Sequence, residues 1–257
     1  MLVKFTKYQG TGNDFVIIDL TKDDFKFSKN QIKKICDRKY GIGSDGLILI
    51  SDYDRLNFEM KFFNPDGSSS FCGNGSRCAV LYCFHQGYIQ SNCSFITNDG
   101  IHQGQILEDE NIKISINSPV LVDRLPNGDF EVNTGSPHYV QIANSLDNID
   151  FKKHCKLIRN NDKYFKNGIN VNLVKVEDNF LNMRTYERGV EDETLSCGSG
   201  VTATALAIAY ANKIDNSIFV KTRGGKLKVE FNRIENSFDK VFLSGPAKFV
   251  FSGDYDL

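Results

Sequence analysis

The sequence has almost no charge of one sign to spare: 31 lysines and arginines stand against 32 aspartates and glutamates, a formal net charge of −1. A chain that grips nucleic acid or an anionic membrane by electrostatics needs a basic excess. Neither is expected as a partner, and a small molecule is the expected ligand. Long hydrophobic runs are also missing. The longest small-and-apolar stretch, 201–211, falls far short of the roughly 20 residues that span a bilayer. Residues 1–10 carry lysines and polar groups where a secretory signal would have its apolar core, so a soluble, cytoplasmic protein is expected. Cysteine is present but lacks pattern: seven residues, an odd number, are scattered without the spacing of a disulfide framework. The nearest pairs, Cys72/Cys78 and Cys78/Cys83, also miss the short spacing of zinc ligands. Thiols in a reducing compartment, with no metal, are the expectation.

One glycine pattern suggests a cofactor and then fails its context. Gly41-Ile42-Gly43-Ser44-Asp45-Gly46 matches a dinucleotide fingerprint, which requires a strand before it and a helix after it. Here a helix precedes, at Ser28 to Cys36, and the apolar strand Leu47-Ile48-Leu49-Ile50 follows. A tight turn lining a cleft is expected instead, and no cofactor.

What the sequence does contain is a repeat. Cys72-Gly73-Asn74-Gly75 and Cys197-Gly198-Ser199-Gly200 lie 125 positions apart, and the same offset relates Thr97 to Thr222 and Gly100 to Gly225. Each half reads as strand, polar loop, Cys-Gly-x-Gly, apolar helix, then several short strands. The helices are expected from Ser76 onward and over 201–210, and the loop before the second motif over 187–196. The fold class expected is α+β, two similar lobes of mostly antiparallel strands around one apolar central helix. The lobes are expected at 1–117 and 118–246, dividing near Ser118-Pro119, with 247–257 as a strand returning to the first.

Cys72 and Cys197 differ in context from the other five cysteines. Each follows a strand and loop and opens a helix, where unpaired backbone N–H groups and the helix dipole favour negative charge and depress a thiol pKa. Glycines flanking Asn74 and Ser199 let backbone amides approach a ligand, so the same helix ends suit a carboxylate. Two lobes, each presenting a thiol, imply a cleft with a sulfur on either side, which is what a racemase or epimerase requires. His138, beside the turn Gly135-Ser136-Pro137, is placed to tune a thiol or simply to be a satisfied structural histidine. Glu187-Arg188 before Gly189 reads equally as a surface ion pair or as a grip on an ammonium and a carboxylate.

Taken together, Gly10-Thr11-Gly12-Asn13-Asp14-Phe15, Phe63-Asn64-Pro65-Asp66-Gly67, Cys72-Gly73-Asn74-Gly75-Ser76-Arg77-Cys78, Asn170-Val171-Asn172, Tyr186-Glu187-Arg188-Gly189 and Glu193-Thr194 leading to Cys197-Gly198-Ser199-Gly200 resemble the diaminopimelate epimerases. The matches run in order along the chain. The resemblance implies a cofactor-independent enzyme that interconverts LL- and meso-diaminopimelate, with sheets rolled around a central helix in each lobe. It implies Cys72 and Cys197 as the acid and base pair, and Asn13, Asn64, Asn170, Glu187 and Arg188 as substrate ligands. By the same resemblance the amides of Gly73, Asn74, Gly198 and Ser199 hold the reacting carboxylate, and His138 and Glu187 adjust the thiols. A homodimer and a place in lysine and peptidoglycan precursor synthesis are implied too. Family members often carry asparagine where Ser136 stands and glutamine at the position of Gly46. Ser136 is therefore a weak substrate contact, and Gly46 none. The loop at Val190-Glu191-Asp192 looks slightly long.

Three rival readings remain at this level. A proline-type racemase on the same plan would leave Glu187-Arg188 without a distal group to bind. A redox protein would cycle Cys72 and Cys197 through a disulfide, although redox motifs usually hold the second cysteine close in sequence. A non-catalytic amino-acid-binding module would not need either thiol.

Overall fold

The computed structural model describes residues 2–22, 25–147 and 149–257. Two compact units divide the chain: Met1–Ser115 with Gly245–Leu257, and Ile116–Ser244.

The first unit opens with β1 (Leu2–Gly10) and β2 (Asn13–Asp19), joined by a turn in which Thr11 and Gly12 both take positive φ. Helix α1 (Lys29–Cys36) begins with a capping box: Ser28 accepts the Gln31 amide while the Gln31 side chain bonds the Ser28 backbone. Then come β3 (Gly46–Ser51), β4 (Phe58–Phe63), α2 (Gly73–His85), β5 (Asn92–Thr97), β6 (Gly100–Ile106) and β7 (Ile112–Ser115).

The second unit holds β8 (Val120–Arg124), β9 (Phe130–Asn133), β10 (Pro137–Ile142), α3 (Phe151–Arg159), β11 (Asn170–Val176), β12 (Leu181–Glu187), β13 (Asp192–Thr194), α4 (Gly198–Asn212), β14 (Ser217–Thr222), β15 (Gly225–Ile234) and β16 (Ser237–Gly245). The chain then returns as β17 (Lys248–Asp256), antiparallel to β1.

The order of strand directions shows the duplication. From β1 to β7 successive pairings run antiparallel, parallel, antiparallel, parallel, antiparallel, antiparallel. The path β9, β10, β11, β12, β14, β15, β16 repeats that order. In the second unit β8 bonds to both β9 and β16, which closes β8, β9, β10, β11, β12, β14, β15 and β16 into a barrel without free edges.

Each unit wraps its strands around one helix. The residues of α4 are apolar or small on every side, with Val201, Ala203, Ala205, Leu206 and Ile208 all buried. A helix with no polar face must be surrounded, and α4 packs against β8 through β12, β14 and β15. Burying Leu206 and Ile208 contributes roughly 1.5–3 kcal/mol each. Helix α2 is packed in the same way by β1 through β4, β6, β7 and β17. The two central helices thus have fixed N-termini, and those are where Cys72 and Cys197 sit.

Two elements differ from the sequence expectation. The polar segment 187–196, expected as a loop, contains β13, pinned by an Arg184–Glu193 ion pair at 2.8 Å from the neighbouring strand β12. Helix α3 was not anticipated, although Asp150 caps it and Phe151 and Cys155 form its buried stripe. Among the described residues no helix is long and apolar enough to cross a membrane.

Candidate active site

In the first unit Cys72 is the N-cap of α2, extended at φ −137° and ψ 104°, and its Sγ accepts the Gly75 amide at 3.4 Å. An N-cap acceptor normally offers oxygen. A sulfur in that place gains most when ionised, because first-turn amides and the helix dipole both favour negative charge.

Behind this helix end lies Arg77, fully buried. Its Nη2 donates to Asn74 Oδ1 at 2.9 Å, and its weaker contacts at 3.4 Å reach Thr11 Oγ1 and the Gly73 carbonyl. Asn74 Nδ2 donates to Asn13 Oδ1 at 3.1 Å, and Asn13 Nδ2 donates to Asp45 Oδ2 at 2.7 Å. Guanidinium only donates and carboxylate only accepts, so both amides in the chain are fixed in direction. Burial pushes the Arg77 guanidinium down to about 10, opposed by the nearby Cys78 and Cys72 sulfurs, which leaves it cationic at neutral pH.

The segment entering Cys72 is clamped as well. The Phe71 ring stacks on His102 at 4.7 Å between centroids, and His102 stacks in turn on Phe95 at 5.6 Å. Asn98, inside the Thr97 to Gly100 turn, donates to Ser69 Oγ. The second unit repeats this clamp with different chemistry. In the Thr222 to Gly225 turn the Gly224 amide donates to the Leu195 carbonyl at 2.8 Å, and Arg223 pairs with Glu193 at 2.9 Å. Asn98 and Arg223 are themselves 125 positions apart. The repeated Thr-x-x-Gly turns therefore hold the approach to each cysteine.

Cys197 is the N-cap of α4 at φ −123° and ψ 111°. Its Sγ lies 3.4 Å from Ser199 Oγ, and Ser199 Oγ lies 2.9 Å from His138 Nε2. Thr134 Oγ1 donates to the Ser199 carbonyl at 2.9 Å and holds the first turn of the helix. His138 is fully buried, and burial, with repulsion from the Arg188 charge added, pushes its imidazole down to about 3. It is neutral. Asn172 Nδ2 bridges His138 Nδ1 and the Tyr139 carbonyl, both at 3.1 Å, while Asn172 Oδ1 accepts from Thr185 at 3.0 Å.

A separate group forms at the end of β12. Asn170 Nδ2 donates to Ser136 Oγ at 2.8 Å and to the Pro137 carbonyl at 3.0 Å, and Asn170 Oδ1 accepts the Arg188 amide at 2.9 Å. Arg188 is tethered by a bond from Nη1 to the Asn167 carbonyl at 3.1 Å, and half-buried Glu187 precedes it. Asn64 belongs to a turn of its own in the first unit, donating to Ser68 Oγ at 3.0 Å and Ser70 Oγ at 3.2 Å.

Each unit thus presents a thiol on a helix N-terminus beside glycine-flanked amides, a setting for moving a proton next to a bound carboxylate. A sequence model of the family described as diaminopimelate epimerase matches residues 5–122 and 130–250. The chain belongs to the diaminopimelate epimerase family. A diaminopimelate epimerase of Flavobacterium psychrophilum is 45% identical over 97% of this chain and 98% of its own length. Those of Campylobacter jejuni, 37% identical over 99% of both chains, and Chlorobaculum tepidum, 36% identical over 96% and 99%, are similar throughout. Among solved structures, a phenazine biosynthesis protein of the PhzF family from Bacillus anthracis superposes at TM-score 0.80 with 13% identity over the whole of both chains. A hydroxyproline epimerase from Agrobacterium vitis superposes at 0.74 with 13% identity over 98% of this chain and 92% of its own. These two likenesses concern the fold.

The residues singled out in the sequence fall into bonded sets. The first unit joins Asn13, Gly73 and Asn74 through Arg77, with Cys72 bonded to the Gly75 amide and Asn64 in its own turn. The second joins Ser136, Asn170 and Arg188 in one set, and His138, Cys197 and Ser199 in another. Sequence reasoning missed Asp45, Arg77 and Asn172 as partners of these residues. Arg77 and Asn172 stood inside quoted motifs, so proximity to the cysteines or to Asn170 was their only signal. Gly46 has a steric explanation: a Cβ there would lie 2.3 Å from Phe62 Cε2, so the Phe62 ring takes the space that a glutamine stem needs.

Proposed function

We propose that this chain interconverts LL- and meso-2,6-diaminopimelate by proton transfer between the substrate α-carbon and two thiols, Cys72 and Cys197. The observation that supports it most directly is that each cysteine caps the central helix of one of two duplicated units in a family of diaminopimelate epimerases. Removing an α-hydrogen without a cofactor produces a carbanion whose charge spreads into the carboxylate. Fixed donors in a dry site lower its cost. The amides of Gly73, Asn74, Gly198 and Ser199 are the donors assigned here. One sulfur, as thiolate, takes the proton. The other, as thiol, returns one to the opposite face, and the roles exchange with direction.

The unreactive end of the substrate carries an ammonium and a carboxylate. Glu187 and Arg188 are assigned to them, with Asn13, Asn64 and Asn170 completing the grip and Ser136 supporting Asn170. Binding energy from that distal end orients the reacting carbon for proton transfer. His138 and Glu187 adjust the cysteines. The reaction belongs to lysine and peptidoglycan precursor synthesis in the cytoplasm. The enzyme works as a homodimer, a reading supported by Phe249, Val250 and Phe251 standing exposed in succession on β17. No cofactor is assigned a role.

The test is incubation of the reduced enzyme with LL-diaminopimelate in heavy water, followed by chiral separation and mass spectrometry. Meso product carrying solvent deuterium at the inverted carbon is expected. Folded enzyme that leaves both diaminopimelate isomers unchanged but racemises proline would overturn the assignment in favour of the proline-type reading.

A further inference from the structure

We propose that Asn172 is a positioning residue that holds His138 as the Nε2–H tautomer, so that His138 donates to Ser199 and the Ser199 hydroxyl proton is turned toward the Cys197 sulfur. This rests on the reading of Cys197 as a proton carrier, and it adds a residue and a direction to that site.

The direction follows from one backbone carbonyl. Tyr139 C=O can only accept, so the Asn172 atom 3.1 Å from it is the NH₂ group and not the amide oxygen. The opposite side agrees, since Thr185 donates to Asn172 Oδ1 at 3.0 Å. The same NH₂ lies 3.1 Å from His138 Nδ1. An amide nitrogen has no lone pair to offer, so Nδ1 accepts and carries no proton. A neutral imidazole with bare Nδ1 has its proton on Nε2, and Nε2 lies 2.9 Å from Ser199 Oγ. The hydroxyl oxygen accepts that proton's hydrogen bond. Its own proton remains for the sulfur at 3.4 Å. An imidazolium would set N–H against N–H at Asn172, so the arrangement also excludes His138 as the acceptor of the Cys197 proton.

The elements that hold this chain are rigid. Asn172 and His138 are fully buried and Thr185 nearly so, on the neighbouring strands β11, β10 and β12. Thr134 fixes the Ser199 backbone. The charged group acting on His138 is the Arg188 guanidinium, which opposes protonation. The matching glycine of the first unit has different neighbours. Gly75 packs on Ile48 and Met60, where Gly200 packs on Asn172 and His138.

The experiment uses the full chain with ¹⁵N-labelled histidine, the His138 signals being assigned by their loss in His138→Gln. The expected spectrum shows Nε2 as the protonated nitrogen and Nδ1 as the bare one throughout the pH range of the folded protein. Site-resolved alkylation with iodoacetamide, read by mass spectrometry, measures each thiol separately. Ser199→Ala should raise the Cys197 midpoint by about one pH unit, slowing its alkylation about tenfold at neutral pH, with Cys72 unchanged. Ser199→Thr should restore it. Asn172→Asp offers only acceptors, so it should move the proton to Nδ1 and slow Cys197 as Ser199→Ala does. Should that variant not fold, the serine pair and the wild-type spectrum still decide. An Nδ1–H tautomer in the wild type, or an unchanged Cys197 profile in Ser199→Ala, overturns the proposal. Full epimerase activity in Cys197→Ser would instead overturn the catalytic reading of Cys197 and leave the tautomer result standing.

Discussion

Gly200 and Asn172 approach so closely that a β-carbon on the glycine would stand 2.6 Å from Asn172 Oδ1. The helix that carries Cys197 is therefore seated directly on the polar residues of β10 and β11, and the glycine is what permits the seat. In Gly200→Ala either α4 lifts or Asn172 rotates. We expect a loss of about 1–3 kcal/mol in stability and a fall in turnover larger than that destabilisation explains. Urea unfolding alongside steady-state kinetics measures both. Wild-type stability with wild-type turnover would mean that the helix end is not tightly seated.

The cysteines should separate chemistry from folding. Cys72→Ser and Cys197→Ser each keep a small polar side chain at the N-cap but replace the thiol with a far weaker acid. Turnover should drop by about 10²–10⁴-fold, while thermal unfolding stays close to that of the parent. A variant with near-parental turnover would remove that cysteine from the proton path.

Asp14 should contribute to the acid limb of stability in the first unit. Burial acts to raise its pKa, but hydrogen bonds from Arg38 and Lys7 outweigh this and bring the carboxyl down to about 2. The Lys7–Asp14 distance is 2.7 Å with Lys7 nearly buried. A folded pKa below the unfolded one means stability that is complete above the unfolded value, near 4, and is lost as pH falls toward 2. After discounting for the partial exposure of Asp14, the contribution is about 1–2 kcal/mol. Asp14→Asn should therefore be less stable than the parent at neutral pH, and the gap should narrow below about pH 4. Chemical denaturation at several pH values tests this, and a gap independent of pH would reject it.

Gly46 and Phe62 should behave as a linked pair. Gly46→Gln sets a side chain against the Phe62 ring, which is buried and packs edge-on to Phe15 at 5.9 Å. We expect a cost of about 1–3 kcal/mol, partly recovered in the double variant with Phe62→Ala. A double-mutant cycle reads the coupling. Additive effects would show that the two residues do not share the space.

What could be read from the sequence was what is local. The Ser28 cap, the glycines around each cysteine and the apolar run of α4 all declare themselves within a few neighbouring positions. The repeat supplied the rest of the architecture, because two copies of one pattern imply two copies of one unit. The partners of the site residues were not readable. Asn13 meets Asp45 and Asn74 at separations of 32 and 61 residues, and His138 meets Asn172 at 34. Strand direction and register set those meetings, and no periodicity encodes them. Strand β13 was missed because its residues are polar and its pairing depends on Glu193 meeting Arg184 on the adjacent strand. Helix α3 carries only short local signals, an Asp150 cap and a buried stripe of Phe151 and Cys155, and it has no counterpart in the repeated Cys-Gly-x-Gly pattern.

The return of β17 to β1 sets an order of completion. Leu2 pairs with Asp256 and Gln9 with Lys248, so β1 waits for a strand made about 240 residues later. During synthesis from the N-terminus the second unit has all its strands once β16 has emerged, while the first remains one strand short with the edge of β1 uncovered. The half of the molecule that is translated first is therefore the half that finishes folding last, and any agent that pairs with a bare strand edge has its opportunity there.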